Sequence, residues 1–218
     1  MTQQTASELV VYQGQFGEFT ITGGDRTGVI IYRTGLMVAA LSFAIGSAAV
    51  LLDNNLDVLN ALTPLIACFA LALGVSLVTI HIYLAPLHRV LQVFWAIGTM
   101  VAVWLALSSS EPLAVTIYNH PAALFGVGFI FAALTGIYFK EAFCFNRLET
   151  KLLTPLVPVL LLGHLIGVLP LQLERAMLAS WAVLFVVFAL RKAVQPIPPD
   201  IGDKSVFAYL KEQHSARA

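Results

Sequence analysis

His164 is the residue whose type and position most invite chemistry. It lies in an apolar run ten residues past Thr154, with Gly163 before it and Gly167 after it. At about 1.5 Å per helical residue, that spacing puts the imidazole roughly 15 Å into a helix, near the middle of a hydrocarbon core about 30 Å thick. An imidazole there can ligate a flat macrocycle, chlorophyll or haem, with the glycines clearing space for its face. The alternative is packing: a Gly-x-x-x-Gly pair draws a neighbouring helix close while the histidine makes one interhelical hydrogen bond. His81 and His88 flank the Ala85-Pro86 turn and can sit side by side, but no carboxylate adjoins them in sequence to complete a metal site. With Arg89 they read as a polar interface belt, and no metal is expected.

The stretch 139–151 combines five charges of both signs with Phe139, Phe143 and Phe145. Alternating signs do not make a uniform phosphate or lipid patch. An aromatic-rich loop of this kind suits protein docking, with Lys140, Glu141, Phe143, Phe145 and Arg147 as the contacting residues. The alternative is an interfacial helix lying flat with its phenylalanines in lipid. Soluble-enzyme signatures are absent: there is no GxGxxG, Walker loop, HExxH, CxxC or GxSxG, and no apolar run holds paired carboxylates. No enzymatic activity is expected.

These residues are positioned by a chain of 218 residues that is 59% hydrophobic and only 11% charged. Its mean hydropathy is +0.86. A soluble domain carries about a quarter of its residues as charges, so this is membrane-protein composition. A net charge of zero with no basic patch excludes an electrostatic nucleic-acid binder. Cys68 and Cys144 are expected as reduced thiols, and residues 1–11 do not resemble a cleavable signal peptide.

Six apolar runs follow one another: 35–52, 58–84, 87–107, 121–139, 154–170 and 175–190. Each is near the roughly 20 residues that cross a bilayer as a helix, and none alternates with the period of a barrel strand. The fold class is all-α and polytopic, with about six transmembrane helices. Eleven of the twelve Lys and Arg then fall on one side and only Arg175 on the other. That asymmetry places both termini inside, with Asp53, Asp57, Glu111 and Glu174 outside. Arg33 is expected to snorkel to inner headgroups, and Tyr32, Tyr83, Phe94 and Trp95 to anchor interfaces or pack helices.

The chain divides into an inner-surface segment (1–25), a membrane domain (26–192) and an inner-surface tail (193–218). Residues 12–22 read as one extended surface segment, and Asp25 as a helix N-cap. Pro196, Pro198 and Pro199 break the last span, after which 203–214 forms a short helix with Val206, Phe207 and Leu210 on one face. Similar strings recur at 35–42 and 128–135, at 62–66 and 153–157, and around Trp95 and Trp181. In that order they suggest an inverted repeat of three plus three helices, an arrangement common in transporters, with Pro64 and Pro155 opening the second helix of each half. Chance matching in apolar sequence is the competing reading.

Three runs carry a family resemblance: Phe16-Gly17-Glu18-Phe19-Thr20-Ile21, Asp25-Arg26-Thr27-Gly28-Val29 with Tyr32-Arg33, and Phe139-Lys140-Glu141-Ala142-Phe143-Cys144-Phe145. Together they resemble an integral membrane family of cyanobacteria and plastid-bearing organisms, a domain of unknown function, from Tyr12 to about Arg191. The resemblance implies a photosynthetic host and a thylakoid or plasma membrane, and it supplies no activity and no site residues. The function expected from the whole reading is a non-enzymatic accessory that aids assembly of photosynthetic membrane complexes. A small transporter or channel is the alternative.

Overall fold

The structure is a computed structural model, described for residues 10–53 and 55–217. A hairpin of β1 (Val11–Gly14) and β2 (Gly17–Thr20) leads into α1 (Gly23–Leu52), α2 (Leu56–Thr79) and α3 (Ala85–Ser108). The short α4 (Leu113–Asn119) then precedes α5 (Pro121–Phe145), α6 (Leu148–Leu165) and α7 (Leu171–Val194). One turn of α8 (Pro198–Ile201) and the terminal α9 (Lys204–Arg217) close the chain. Six helices (α1, α2, α3, α5, α6 and α7) are long and apolar enough to cross a membrane. The all-α, six-span expectation holds.

The start of α1 precedes its apolar run because its polar first turns are stabilised by specific bonds rather than by hydropathy. Thr22, not Asp25, caps α1: its hydroxyl accepts from Asp25 N–H at 3.2 Å, and the Asp25 carboxylate accepts from Thr22 N–H at 2.8 Å. This reciprocal box satisfies two orphan donors and starts the helix twelve residues before the first apolar run. At the other end of the sequence region of interest, α5 continues through Lys140 and Glu141 until Asn146 adopts a left-handed conformation at φ 52°. Only Asn146 and Arg147 then separate α5 from α6, so the expected thirteen-residue docking loop is helix on both sides. Because α6 begins at Leu148 and α2 at Leu56, Pro155 and Pro64 stand inside helices rather than opening them.

Small residues let the helices approach closely. A Cβ on Gly35 would lie 2.7 Å from the Ala72 carbonyl of α2, and one on Gly98 would lie 2.6 Å from the Ile130 nitrogen of α5. The Ser76 hydroxyl donates across the first of these contacts to the Tyr32 carbonyl at 3.0 Å. In lipid, where apolar surface gains little from leaving the solvent, such packing and interhelical bonds are what hold helices together. Phe43, Phe69, Phe131 and Trp181 form an aromatic knot at the centre, with Phe43 and Trp181 centroids 4.4 Å apart.

The long helices pack around the bundle in the order α1, α2, α3, α5, α6, α7 and back to α1.

Both described ends of the chain meet at one end of the bundle, called here the tail end. Residues 12–22 pair with themselves as a hairpin, Tyr12 opposite Phe19, rather than running as one strand. The Asp203 carboxylate accepts from Gln15 N–H at 2.6 Å, the Ser205 hydroxyl accepts from Phe16 N–H at 3.0 Å, and Lys204 pairs with Asp25 at 2.7 Å. The Ser205 hydroxyl also donates to the Asp203 carboxylate at 2.6 Å, and that bond first, then the one from Gln15 N–H, holds the Asp203 carboxyl below its ordinary pKa. The tail helix forms as expected, with Phe207 stacked on Tyr83 at 4.9 Å.

Candidate functional site

Placement of α6 decides what His164 can do. It is the next-to-last residue of the helix, so it stands at the end of the bundle opposite the tail rather than at mid-membrane. Gly167, at φ +69°, ends the helix: Gly167 N–H donates to the His164 carbonyl at 2.9 Å and Val168 N–H to the Gly163 carbonyl at 3.0 Å. This is a Schellman stop, and the glycine is there because a left-handed residue is cheap only without a Cβ. The Gly163/Gly167 pair is thus a terminator, not a helix-packing seam. Both imidazole nitrogens are engaged, Nδ1 with Glu174 Oε1 at 2.6 Å and Nε2 with the Tyr118 carbonyl at 3.0 Å. A chlorophyll or haem ligand needs a free nitrogen; His164 has none in this arrangement.

What His164 does instead is wall a chamber of about 610 Å³ in the distal half of the bundle. The helices α1, α2 and α7 each contribute a stripe at helical spacing. From α1 come Phe43, Gly46, Ser47 and Val50; from α2, Leu59, Leu62, Ile66 and Phe69; from α7, Leu171, Glu174, Arg175, Leu178 and Trp181. Side chains three and four residues apart share a face, so these sets converge on one space. The aromatic knot forms its floor, while α5 and α6 close the sides with Leu124, Val127, Leu160 and Leu161. The short α4 lies across the mouth and supplies Ile117, Tyr118 and Asn119.

Polar groups gather at that mouth. The Tyr118 hydroxyl donates to Glu174 Oε2 at 3.1 Å, and its ring lies 4.4 Å from that of His164. Burial first, and then the Glu174 carboxylate, push the Tyr118 pKa up, so the phenol remains a donor. Arg175 donates to the Leu51 carbonyl at 2.6 Å. An apolar cavity of roughly 300–1,000 Å³ with a few convergent polar groups is the usual form of a small-molecule site.

The residues expected to dock a partner are mostly turned inward at the tail end. Glu141 is fully buried and bonds Lys140 at 2.8 Å, Lys192 at 2.9 Å and the Tyr32 hydroxyl at 3.3 Å. Lys192, also fully buried, pairs with Asp200 of α8 as well. Asp200 in turn holds Arg33 at 2.6 Å. Arg33 also donates to the Gln195 and Pro196 carbonyls at 2.6 and 2.9 Å, so it does not snorkel to headgroups. Arg147 bonds Gln195 at 2.5 Å, and Phe145 stacks beneath Lys192 at 4.5 Å. Of the five docking residues, only Phe143 is fully open, at 84% exposure.

The remaining sites are structural. His88 Nε2 lies 2.5 Å from the Leu77 carbonyl at the end of α2, and partial burial drives the His81 pKa down. Trp95 donates to the Ala70 carbonyl at 2.7 Å, and Tyr32 is buried, so both pack helices rather than anchor an interface. No group of three metal-ligating side chains occurs among the described residues. The chamber and the Lys192–Asp200 pair escape sequence reading, though a charge at the edge of each span was the available signal.

Comparison with known proteins follows the same lines. A family model described as uncharacterized integral membrane protein (DUF2301) matches residues 75–209. A protein of Haemophilus influenzae, described as uncharacterized, is 31% identical over 188 residues, covering 84% of this chain and 91% of that relative. The family therefore extends beyond the cyanobacteria and plastids to which the sequence resemblance pointed. No solved structure matches the chain. Six spans, a match to that model over more than half the chain and alignment to the Haemophilus protein along most of both lengths agree: the chain belongs to the DUF2301 family of integral membrane proteins.

Proposed function

We propose that the protein is a non-enzymatic, membrane-embedded binding protein whose distal chamber takes up one amphipathic small molecule. The observation that carries this reading is the chamber itself: about 610 Å³, floored by Phe43, Phe69, Phe131 and Trp181, with its polar groups confined to the mouth. A tail buried against the floor and a head held at the mouth would match that division of polarity. The mouth groups are bonded to one another rather than arranged around a reacting centre, which supports binding over catalysis. This keeps the accessory role read from the sequence without tying it to photosynthetic complexes, since a Haemophilus relative gives that partner no support. The transporter alternative draws no support from the comparisons, which describe both the family and the Haemophilus relative only as uncharacterized.

Tryptophan quenching tests the reading. Trp95→Phe with Trp104→Phe leaves Trp181 as the single reporter at the chamber floor. A brominated single-chain amphiphile should quench it saturably in detergent. Val50→Phe with Leu178→Phe, which fills the chamber, should remove the saturable component. Equal quenching in the filled protein, or none in the parent, would overturn the proposal.

A further inference from the structure

Resting on the chamber as a binding site, we infer that its ligand carries one anionic head, carboxylate or phosphate, on a single long tail, with Arg175 as the head's partner. Arg175 is the only Lys or Arg at the distal end; the other eleven belong to the tail end or to the helix turns nearest it. A cation on the side opposed by the charge bias of the chain is a departure that asks for a role. Its place gives one, because Arg175 lines the chamber mouth.

Its bonding points the same way. Of five N–H donors, the guanidinium uses one toward the protein among the described residues, to the Leu51 carbonyl at 2.6 Å. Among the described residues it forms no ion pair with a carboxylate. The neighbouring acids are already committed. Glu174 gives Oε1 to His164 and Oε2 to Tyr118, and Asp53 accepts from Asn55 through both oxygens, at 3.1 and 2.7 Å. Arg175 is thus the open charge at the mouth, and its planar fork matches an oxyanion. The volume limits the rest: about 610 Å³ is the size of one drug-sized ligand, hence one chain and not a two-tailed phospholipid.

Competition against the brominated probe in the single-tryptophan protein tests this. Oleate and oleoyl-lysophosphatidate serve as the anionic arms, and oleyl alcohol as the neutral one. At least one anion should displace the probe at roughly tenfold lower concentration than the alcohol, the scale of a charge-assisted hydrogen bond. Which anion wins separates a free fatty acid from a lipid phosphate. Arg175→Gln should erase the preference by bringing the anions' competition down to that of the alcohol, and Arg175→Lys should restore part of it. Equal competition by alcohol and anions, or a preference that survives Arg175→Gln, would overturn the anionic head while leaving the chamber reading intact. Failure of every chain to compete would instead remove the chamber reading, and this inference with it.

Discussion

At the scale of single residues, the tail-end ion cluster sets the sharpest expectation. Lys192 and Glu141 are fully buried, and each has more than one partner, so removing one member leaves a charge stranded in a low dielectric. Such losses cost about 3–5 kcal/mol, whereas replacing a whole buried ionic group by apolar residues is often neutral. Lys192→Met should therefore lower thermal stability in detergent sharply. Adding Glu141→Leu and Asp200→Leu to it should recover much of the loss, read as a non-additive cycle. Strict additivity would mean that the three residues do not act as one group. None of this pairing was visible in the sequence, because charge alternation along residues 139–151 gives no direction. The partners of Glu141 lie 51 residues on at Lys192 and, through it, at Asp200 in a proline-rich stretch that reads as a breaker.

At the scale of elements, hydropathy located all six spans and the start of α5 but placed the other five starts late. Apolar runs report where lipid touches a helix, and polar first turns are invisible to that measure. For α6 the error was six residues, enough to move His164 from mid-membrane to the helix end and to turn an expected ligand into part of a wall. Gly163 and Gly167 likewise read as a packing seam because their spacing is the same in a seam and in a Schellman stop. Gly167→Ala separates the two. A Cβ at φ +69° costs about 1 kcal/mol with no clash to relieve, since nothing lies within 4 Å of it. The expected result is a modest fall in melting temperature together with weaker binding in the chamber assay, because His164 and Glu174 are set by that turn. A seam glycine would instead change helix association and leave binding alone.

At the scale of the whole molecule, eleven of the twelve Lys and Arg fall on one side and the other carries four acids against one arginine, and both described chain ends lie at the cationic end. From the positive-inside bias we propose that the tail end faces the cytoplasm and the chamber mouth the opposite side. In a protein with Cys68→Ala and Cys144→Ala, a cysteine at Ser110 should react with an impermeant maleimide on intact cells. One at Gln213 should react only after permeabilisation. Ser205 is a poor probe because it is buried in the clasp between the tail and the hairpin. The reverse labelling pattern would invert the molecule in the membrane and place the mouth of the chamber in the cytoplasm.

The ring closes where α7 meets α1, so the last span to leave the ribosome must dock against the first. Arg33 is inserted long before Asp200 exists and Glu141 long before Lys192, and Lys192 emerges eight residues ahead of Asp200. Until those last residues are translated, three charged groups wait at the membrane edge without the contacts that later bury them. Biosynthesis thus has a natural checkpoint at its final step. A chain that stops after α7 has all six apolar segments but leaves Arg33 and Lys192 without the Asp200 carboxylate that joins them.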